Sequence, residues 1–388
     1  MQLATIAYRN LGRNKLRTSL TILVSVVAIV AFLFFRTVLW SWNAAAEQAA
    51  TDRIGTRHKV SFIMRLPARY AEEVRQTPGV KQVAHASWFG AKDPAHPNEF
   101  FGTIAVEPAD FLAVYDEIVV PPEQVEAWKQ NRKGALVGDA IAKKLGWKVG
   151  DKIHLQGTIY PGDWEFEISG IYTAKRATVD RSTLWFQYKY MNESLPPREQ
   201  DQVGWIMARI DNPGQSAAIS RQIDQKFSER DIQTISMSEQ ALQASFLGMV
   251  SAIMKVVEIV SIAMLLIMTL MIGNTIAMGV RERTQEYGVL RAIGFMPRHI
   301  VLFIVGESAF LGLIGGTIGL AVGYPFVEKM LGRVLEENAG AFFPFFRVSS
   351  GVAIAAFLLA LLIGVLAALL PARGAARLEV VSALRRVG

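Results

Sequence analysis

Four stretches of the chain stay apolar on every side, and the remainder does not. They are residues 20–42 (LTILVSVVAIVAFLFFRTVLWSW), 259–280 (IVSIAMLLIMTLMIGNTIAMGV), 300–324 (IVLFIVGESAFLGLIGGTIGLAVGY) and 351–370 (GVAIAAFLLALLIGVLAALL). Each reaches the roughly 20 residues that cross a hydrocarbon layer of about 30 Å. A helix in a soluble core rarely stays apolar all round for so long. The pattern therefore predicts four membrane helices. The first run has a signal-peptide rival, because Arg9, Arg13, Lys15 and Arg17 precede it and AAAEQAA follows. Its length exceeds the roughly 7–15 apolar residues of a signal core. Trp40 and Trp42 form an interfacial belt and Arg36 is placed to snorkel, so the run reads as an uncleaved anchor.

Between the first two runs, at 43–245, the period shortens and turn dipeptides appear. EFEISGIYT sets Phe166, Ile168, Gly170 and Tyr172 against Glu165, Glu167 and Ser169, the alternation of a half-buried strand. WIMARI is a second strand, DNPGQ a turn, and the next stretch a helix carrying Ile219, Ile223 and Phe227 on one face. IQTISMSE closes that unit as a strand. An earlier unit repeats the order with HKVSFIM, ARYAEEVRQ, a TPG turn and VKQVAHASWF. Both ends thus build one α+β layer, with a strand-rich insertion at about 111–197. Residues 246–258 predict a stalk helix running unbroken into the second apolar run, with Lys255 and Glu258 as a solvated pair one turn apart.

Composition agrees with a membrane protein: 51% of the 388 residues are hydrophobic and the formal net charge is +7. There is no cysteine, which excludes disulfides and thiolate chemistry. The basic residues flank the apolar runs instead of forming a stripe on a folded face, which argues against nucleic acid. Arg9, Arg13, Lys15 and Arg17 (1–19), Arg281, Arg283, Arg291 and Arg298 (281–299), and Arg373, Arg377, Arg385 and Arg386 (371–388) outnumber Glu282, Glu286 and Glu379 in those segments. The connection at 325–350 is mixed, with Lys329, Arg333 and Arg347 against Glu328, Glu336 and Glu337. This bias puts both termini and the 281–299 loop in the cytoplasm, and the 43–245 domain outside.

Reactive chemistry is not legible. His58, His85, His96, His154 and His299 have no metal-ligand spacing. No Gly-Lys dipeptide occurs, hence no P-loop, and there is no Gly-x-Ser-x-Gly elbow. Glu307 is the one acid inside an apolar run; an intramembrane acid points to function, and the plainer reading is a hydrogen-bonded residue facing another helix. Gly312 and Gly316, and Gly315, Gly319 and Gly323, are spaced by four, as in stripes that let helices pack closely within a chain or between copies.

VRERTQEYGVLRAIGF, between the second and third runs, resembles the cytoplasmic signature of the MacB/FtsX/LolC-type ABC-transporter permeases. The match is carried by Glu282, Arg283, Glu286, Gly288, Arg291, Ala292 and Gly294, flanked by Arg281; Tyr287 departs from the β-branched aliphatic usual there. AYRNLGRNKLRTSLTILVSVV, GESAFLGLIGGTIGLAVG and LLPARGAARLEVVSALR agree in order, and GALVGDAIAKKLGWKVGDKIHL resembles the family's periplasmic core. The resemblance implies a permease of the bacterial inner membrane whose short loop helix, the coupling helix, docks into an ABC ATPase dimer. It implies a second permease copy or paralogue, membrane lipid around the helices, and an adaptor protein in the efflux members. ATP and magnesium would then sit in the ATPase, expected here as a separate subunit, with no cofactor in this chain. Lipoprotein release is the activity of other members. A regulator of cell-wall hydrolases of the FtsX sort, moving no cargo, is the alternative; a polytopic enzyme or sensor is a third, disfavoured by the missing catalytic groups.

Single cysteines introduced into this cysteine-free chain test the topology. A cysteine at Gln215 should react with an impermeant maleimide in intact cells, whereas cysteines at Gln285 and Ala376 should react only after permeabilisation. Labelling of Gln285 from outside would invert the orientation.

Overall fold

The computed structural model describes residues 15–47, 50–176, 179–249, 251–338, 343 and 345–377. Arg9, Arg13, Glu379, Arg385 and Arg386 lie outside the described residues. So does Val250, on which an unbroken stalk helix depends; helices Glu239–Met249 and Ser251–Glu282 stand on either side of it. The chain divides into two compact units, Met1–Trp40 with Ala252–Gly332 and Arg347–Gly388, and Ser41–Ser251 with Arg333–Phe346.

The first unit holds four helices long and apolar enough to span a membrane, among the described residues. The first helix is Lys15–Glu47, the second Ser251–Glu282, the third Pro297–Pro325 and the fourth Ser350–Ala376. Helical structure after the third runs further than the apolar pattern alone suggests, through a π-helical stretch Phe326–Leu331 and the helix Gly332–Asn338. The irregular turn follows Pro325, whose ring and missing N–H disturb the regular ladder.

Lipid offers no hydrophobic drive for helix association, so close packing has to hold such a bundle together. The third helix achieves this with its two glycine stripes. A Cβ on Gly312 would stand 2.5 Å from the Ala360 carbonyl oxygen, and one on Gly316 would stand 2.9 Å from the Ala360 Cβ, both on the fourth helix. On the other stripe, a Cβ at Gly315 would meet Ser25 at 2.6 Å, one at Gly319 would meet Ile29 at 2.9 Å, and one at Gly323 would meet Leu33 and Val30 at 3.0 Å. Those partners all belong to the first helix. Ser308 adds a hydrogen bond from its hydroxyl to the Gly364 carbonyl of the fourth helix.

The second unit is an α+β domain inserted between the first and second helices. Its strands are β1 (Arg53–His58), β2 (Leu66–Pro67), β3 (Val80–Trp88), β4 (Ala91–Lys92), β5 (Thr103–Val106), β6 (Ile118–Val119) and β7 (Gly134–Gly138). They continue with β8 (Lys152–Gly157), β9 (Gly162–Ala174), β10 (Leu184–Gln187), β11 (Gln202–Val203), β12 (Trp205–Ile210) and β13 (Thr234–Ser238). A mixed sheet runs in the order β13-β1-β12-β3-β5-β10-β7-β9-β8-β4, with β6 paired to β9. Strands from both ends of the domain therefore interleave at one side, and those of residues 134–187 continue the same sheet. Helices Tyr70–Arg75 and Ser216–Phe227 bury Tyr70, Val74, Ile219, Ile223 and Phe227 on one face, with Tyr70 stacked on Phe227 at 4.1 Å. Phe111 and Trp128 cover the other face together with Leu136 and Tyr172.

Two sequence readings change here. HKVSFIM is not a strand: β1 ends at His58, and Val60 and Ile63 are 78% and 82% exposed. The strand is the more polar RIGTRH, paired on both sides by β12 and β13. The alternation of EFEISGIYT also fails to keep one face. The pairing with β7 shifts between Ala135↔Ile168 and Leu136↔Gly170, so Ser169 is an extra residue. Phe166 and Ile168 join one core and Tyr172 the opposite one, because a one-residue bulge reverses the phase of every later side chain.

RIGTRH reads as polar because its first residue is a buried cation. Arg53 is 3% exposed and donates from Nε to Glu239 at 2.6 Å and from both terminal nitrogens to Glu117 at 2.7 and 2.9 Å. It also donates to the Val114 carbonyl at 3.0 Å and lies over the Tyr115 ring at 4.7 Å. Burial pushes the Glu239 carboxyl above its usual range, and the Arg53 charge opposes that. The opening strand and the helix Glu239–Met249 that closes the domain thus meet at one guanidinium.

Arg53→Met should strand two buried carboxylates and destabilise the domain by about 3–5 kcal/mol, seen as an earlier thermal transition of the purified chain. An unchanged transition would refute the central place of this cation. In the membrane unit, Gly312→Ala should cost roughly 1–3 kcal/mol by overpacking. Gly306→Ala, where a Cβ meets nothing within 4 Å, is the control, and equal melting of the two variants in detergent would contradict the stripe.

Candidate coupling site

The charged loop between the second and third helices folds as the nine-residue helix Thr284–Ala292. Arg283 caps its start, and the Thr284 hydroxyl folds back on the carbonyls of Val280 and Arg281 at 3.2 and 3.0 Å. The end is a Schellman turn: Phe295 N–H donates to Leu290 O at 3.0 Å and Gly294 N–H to Arg291 O at 3.1 Å. Gly294 sits there with φ +103°. A side chain at this position would strain the backbone although the space beside it is open. Pro297 then starts the third helix, at a position where a missing N–H costs nothing.

The helix has two faces. Thr284, Tyr287 and Gly288 are buried, and Arg291, one turn further, donates to the Ala376 carbonyl at the end of the fourth helix at 3.0 Å. Gln285, Glu286, Val289 and Ile293 are exposed, Val289 by 49% and Ile293 by 68%. A helix laid on other helices by one face is expected to present a polar opposite face. This one presents an acid beside two aliphatic side chains.

Contacts among the described residues tie the loop to the other membrane helices. Glu282 forms an ion pair with Arg17 of the first helix. Next to it, Thr21 and Thr275 hydroxyls of the first and second helices hydrogen-bond at 3.1 Å. Arg283 donates from Nη1 to both oxygens of Glu307 on the third helix, at 2.8 and 3.2 Å. Another tie is Arg291 to the fourth helix. Arg17, Thr275, Arg283, Tyr287 and Glu307 line a cavity of about 40 Å³, room for little more than water. Tyr287 is 8% exposed, and burial first, then the Glu307 charge, raises the pKa of its phenol.

The structure thus ties Glu282, Arg283 and Arg291 to other membrane helices, Arg283 through Glu307, and buries Tyr287 and Gly288. It leaves Arg281 and Glu286 exposed and assigns Gly294 to the turn. Gly312, Gly315, Gly316, Gly319 and Gly323 of the third helix lie against the first and fourth helices. Sequence reasoning sees no partner for Glu307 because it seeks one within the apolar runs, and the partner is a loop arginine. Arg17 reads only as one of several flanking cations, since its acid lies 265 positions away.

A model of the MacB-like periplasmic core domain matches residues 16–226, and a model of the FtsX-like permease C-terminal region matches residues 258–380. The chain belongs to the MacB/FtsX class of ABC transporter permeases, multi-pass membrane proteins that work with an ATPase. An ABC transporter permease of Methanocaldococcus jannaschii is 22% identical over 98% of this chain and 97% of its own length. A macrolide export ATP-binding/permease protein MacB of a Shewanella species is 26% identical over 67% of this chain, which spans only 40% of that protein. The periplasmic region of MacB from Actinobacillus actinomycetemcomitans aligns at 9% identity and a TM-score of 0.37, over 51% of this chain and 94% of that one; so low a score carries no argument.

Proposed function

We propose that this permease passes ATP-driven movement from an ABC ATPase to the α+β domain, acting on a cargo in the periplasm or the outer half of the inner membrane. The observation that carries this reading is the two-faced loop helix. Glu282 and Arg283 just before the helix and Arg291 on it are bound to the first, third and fourth membrane helices, and the outer face exposes Glu286, Val289 and Ile293. An acid flanked by aliphatic side chains suits a cleft that offers a cation and an apolar wall. In this reading the loop and both termini face the cytoplasm, and the ATPase dimer holds ATP and magnesium. A second permease copy or a paralogue completes the transmembrane part, and a periplasmic adaptor receives the cargo. Export is supported by the relatives named for macrolide export.

Glu286→Lys reverses the charge offered to the ATPase and should reduce the ATPase that copurifies by at least about tenfold, the loss expected from breaking one desolvated charged contact. Gly288→Leu should weaken the same association by forcing a large side chain into a buried position of the helix. Glu258→Gln, on the second helix well away from the loop, should leave copurification unchanged. Wild-type ATPase recovery in both loop variants would sink the docking reading.

A further inference from the structure

We propose that Glu307 is where the loop helix grips the membrane bundle, its carboxylate held by Arg283 so that a displacement of helix Thr284–Ala292 is imposed on the third membrane helix. The inference rests on the reading that this loop receives the ATPase movement. It assigns a positioning role to an acid that would otherwise be unexplained inside an apolar segment.

The geometry is that of a tether. Arg283 and Glu307 side chains are only 13% and 17% exposed, and one guanidinium nitrogen reaches both carboxylate oxygens. Separating such a pair leaves a charge in surroundings that solvate it poorly, so it resists opening far more than a surface pair does. Arg283 is also the residue immediately before the loop helix, so the tether acts at that helix's start. Tyr287, one turn on, lines the cavity beside the pair.

The receiving end is equally well placed. Glu307 lies on the helix whose glycines touch both the first and fourth helices, little more than one turn before Gly312. A pull at Glu307 therefore acts on a backbone that is packed too closely to yield locally, and the three helices follow together. Arg17–Glu282 and Arg291–Ala376 sit at the rim and end of the loop. Arg283–Glu307 joins the loop to the glycine-bearing helix by an ion pair.

The test uses the complete permease with its ATPase in lipid nanodiscs. Val322→Cys, on the exposed side of the third helix, is labelled with an environment-sensitive bimane before assembly; the chain has no other cysteine. ATP with vanadate should shift the emission of the otherwise wild-type protein. Glu307→Gln and Arg283→Gln should shrink that shift about tenfold, and in Glu307→Gln, whose residue lies within the third helix and outside the docking loop, ATPase copurification stays at the wild-type level, which a merely structural defect would not produce. The exchange variant, Arg283→Glu with Glu307→Arg, should restore the shift. A wild-type shift in Glu307→Gln overturns the proposal, as does an exchange variant no better than the single ones. Failure of both Glu307→Gln and the exchange variant to accumulate in membranes would assign the pair to folding and overturn it too. The docking reading is judged separately: it stands or falls with ATPase binding in Glu286→Lys, whatever the bimane reports.

Discussion

The membrane part of this protein depends on how closely the third helix can approach two others at once. Its neighbours are reached through backbone surfaces: Gly312 and Gly316 against Ala360, and Gly315, Gly319 and Gly323 against Ser25, Ile29, Val30 and Leu33. Lipid does not push helices together as water does, so van der Waals contact at this distance is the cohesive term. The polar contacts at the loop end follow from it. Ser308 reaches a carbonyl of the fourth helix, and the rims of the helices come near enough for Arg17 to find Glu282 and for Arg283 to find Glu307.

Those ion pairs turn a connecting loop into a structural part of the bundle. Glu282, Arg283 and Arg291 are each committed to a different membrane helix. The face left to the surroundings is short, exposed and chemically mixed. That division explains why so many charges occupy a tight connection between two membrane segments: Glu282, Arg283 and Arg291 hold the loop in place, while Glu286 lies on the exposed face. An element fixed on one side and open on the other is suited to receive a push without deforming.

The α+β domain uses a comparable device. Arg53 joins the strand that opens the domain to Glu239, at the start of its closing helix, and to Glu117 between them. Its charge is buried with two acids, an arrangement that is costly to desolvate and costlier to break. The specificity follows from geometry, since a planar guanidinium with several fixed donors can satisfy three chain segments together. The sheet itself is less demanding: two aromatic-rich cores cover its faces, and a single bulge at Ser169 lets β9 contribute to both.

Much of this was determined by the sequence alone. Four apolar runs of membrane length, the α+β texture between the first two, the helix bearing Ile219, Ile223 and Phe227, the charged loop signature and the glycine spacing are all local patterns. Local periodicity reports which residues seek burial, and it does so without knowing the partner. What only the tertiary structure decided is partnership. The two glycine stripes serve different helices; Glu307 belongs to a loop arginine; Arg17 answers an acid 265 residues away. β1 turned out to be RIGTRH because Arg53 is neutralised by residues from distant segments, and EFEISGIYT changes face at one inserted residue. A buried charge or a bulge violates the local hydrophobic pattern, and its compensation lies elsewhere in the chain, where only the folded structure brings the two together.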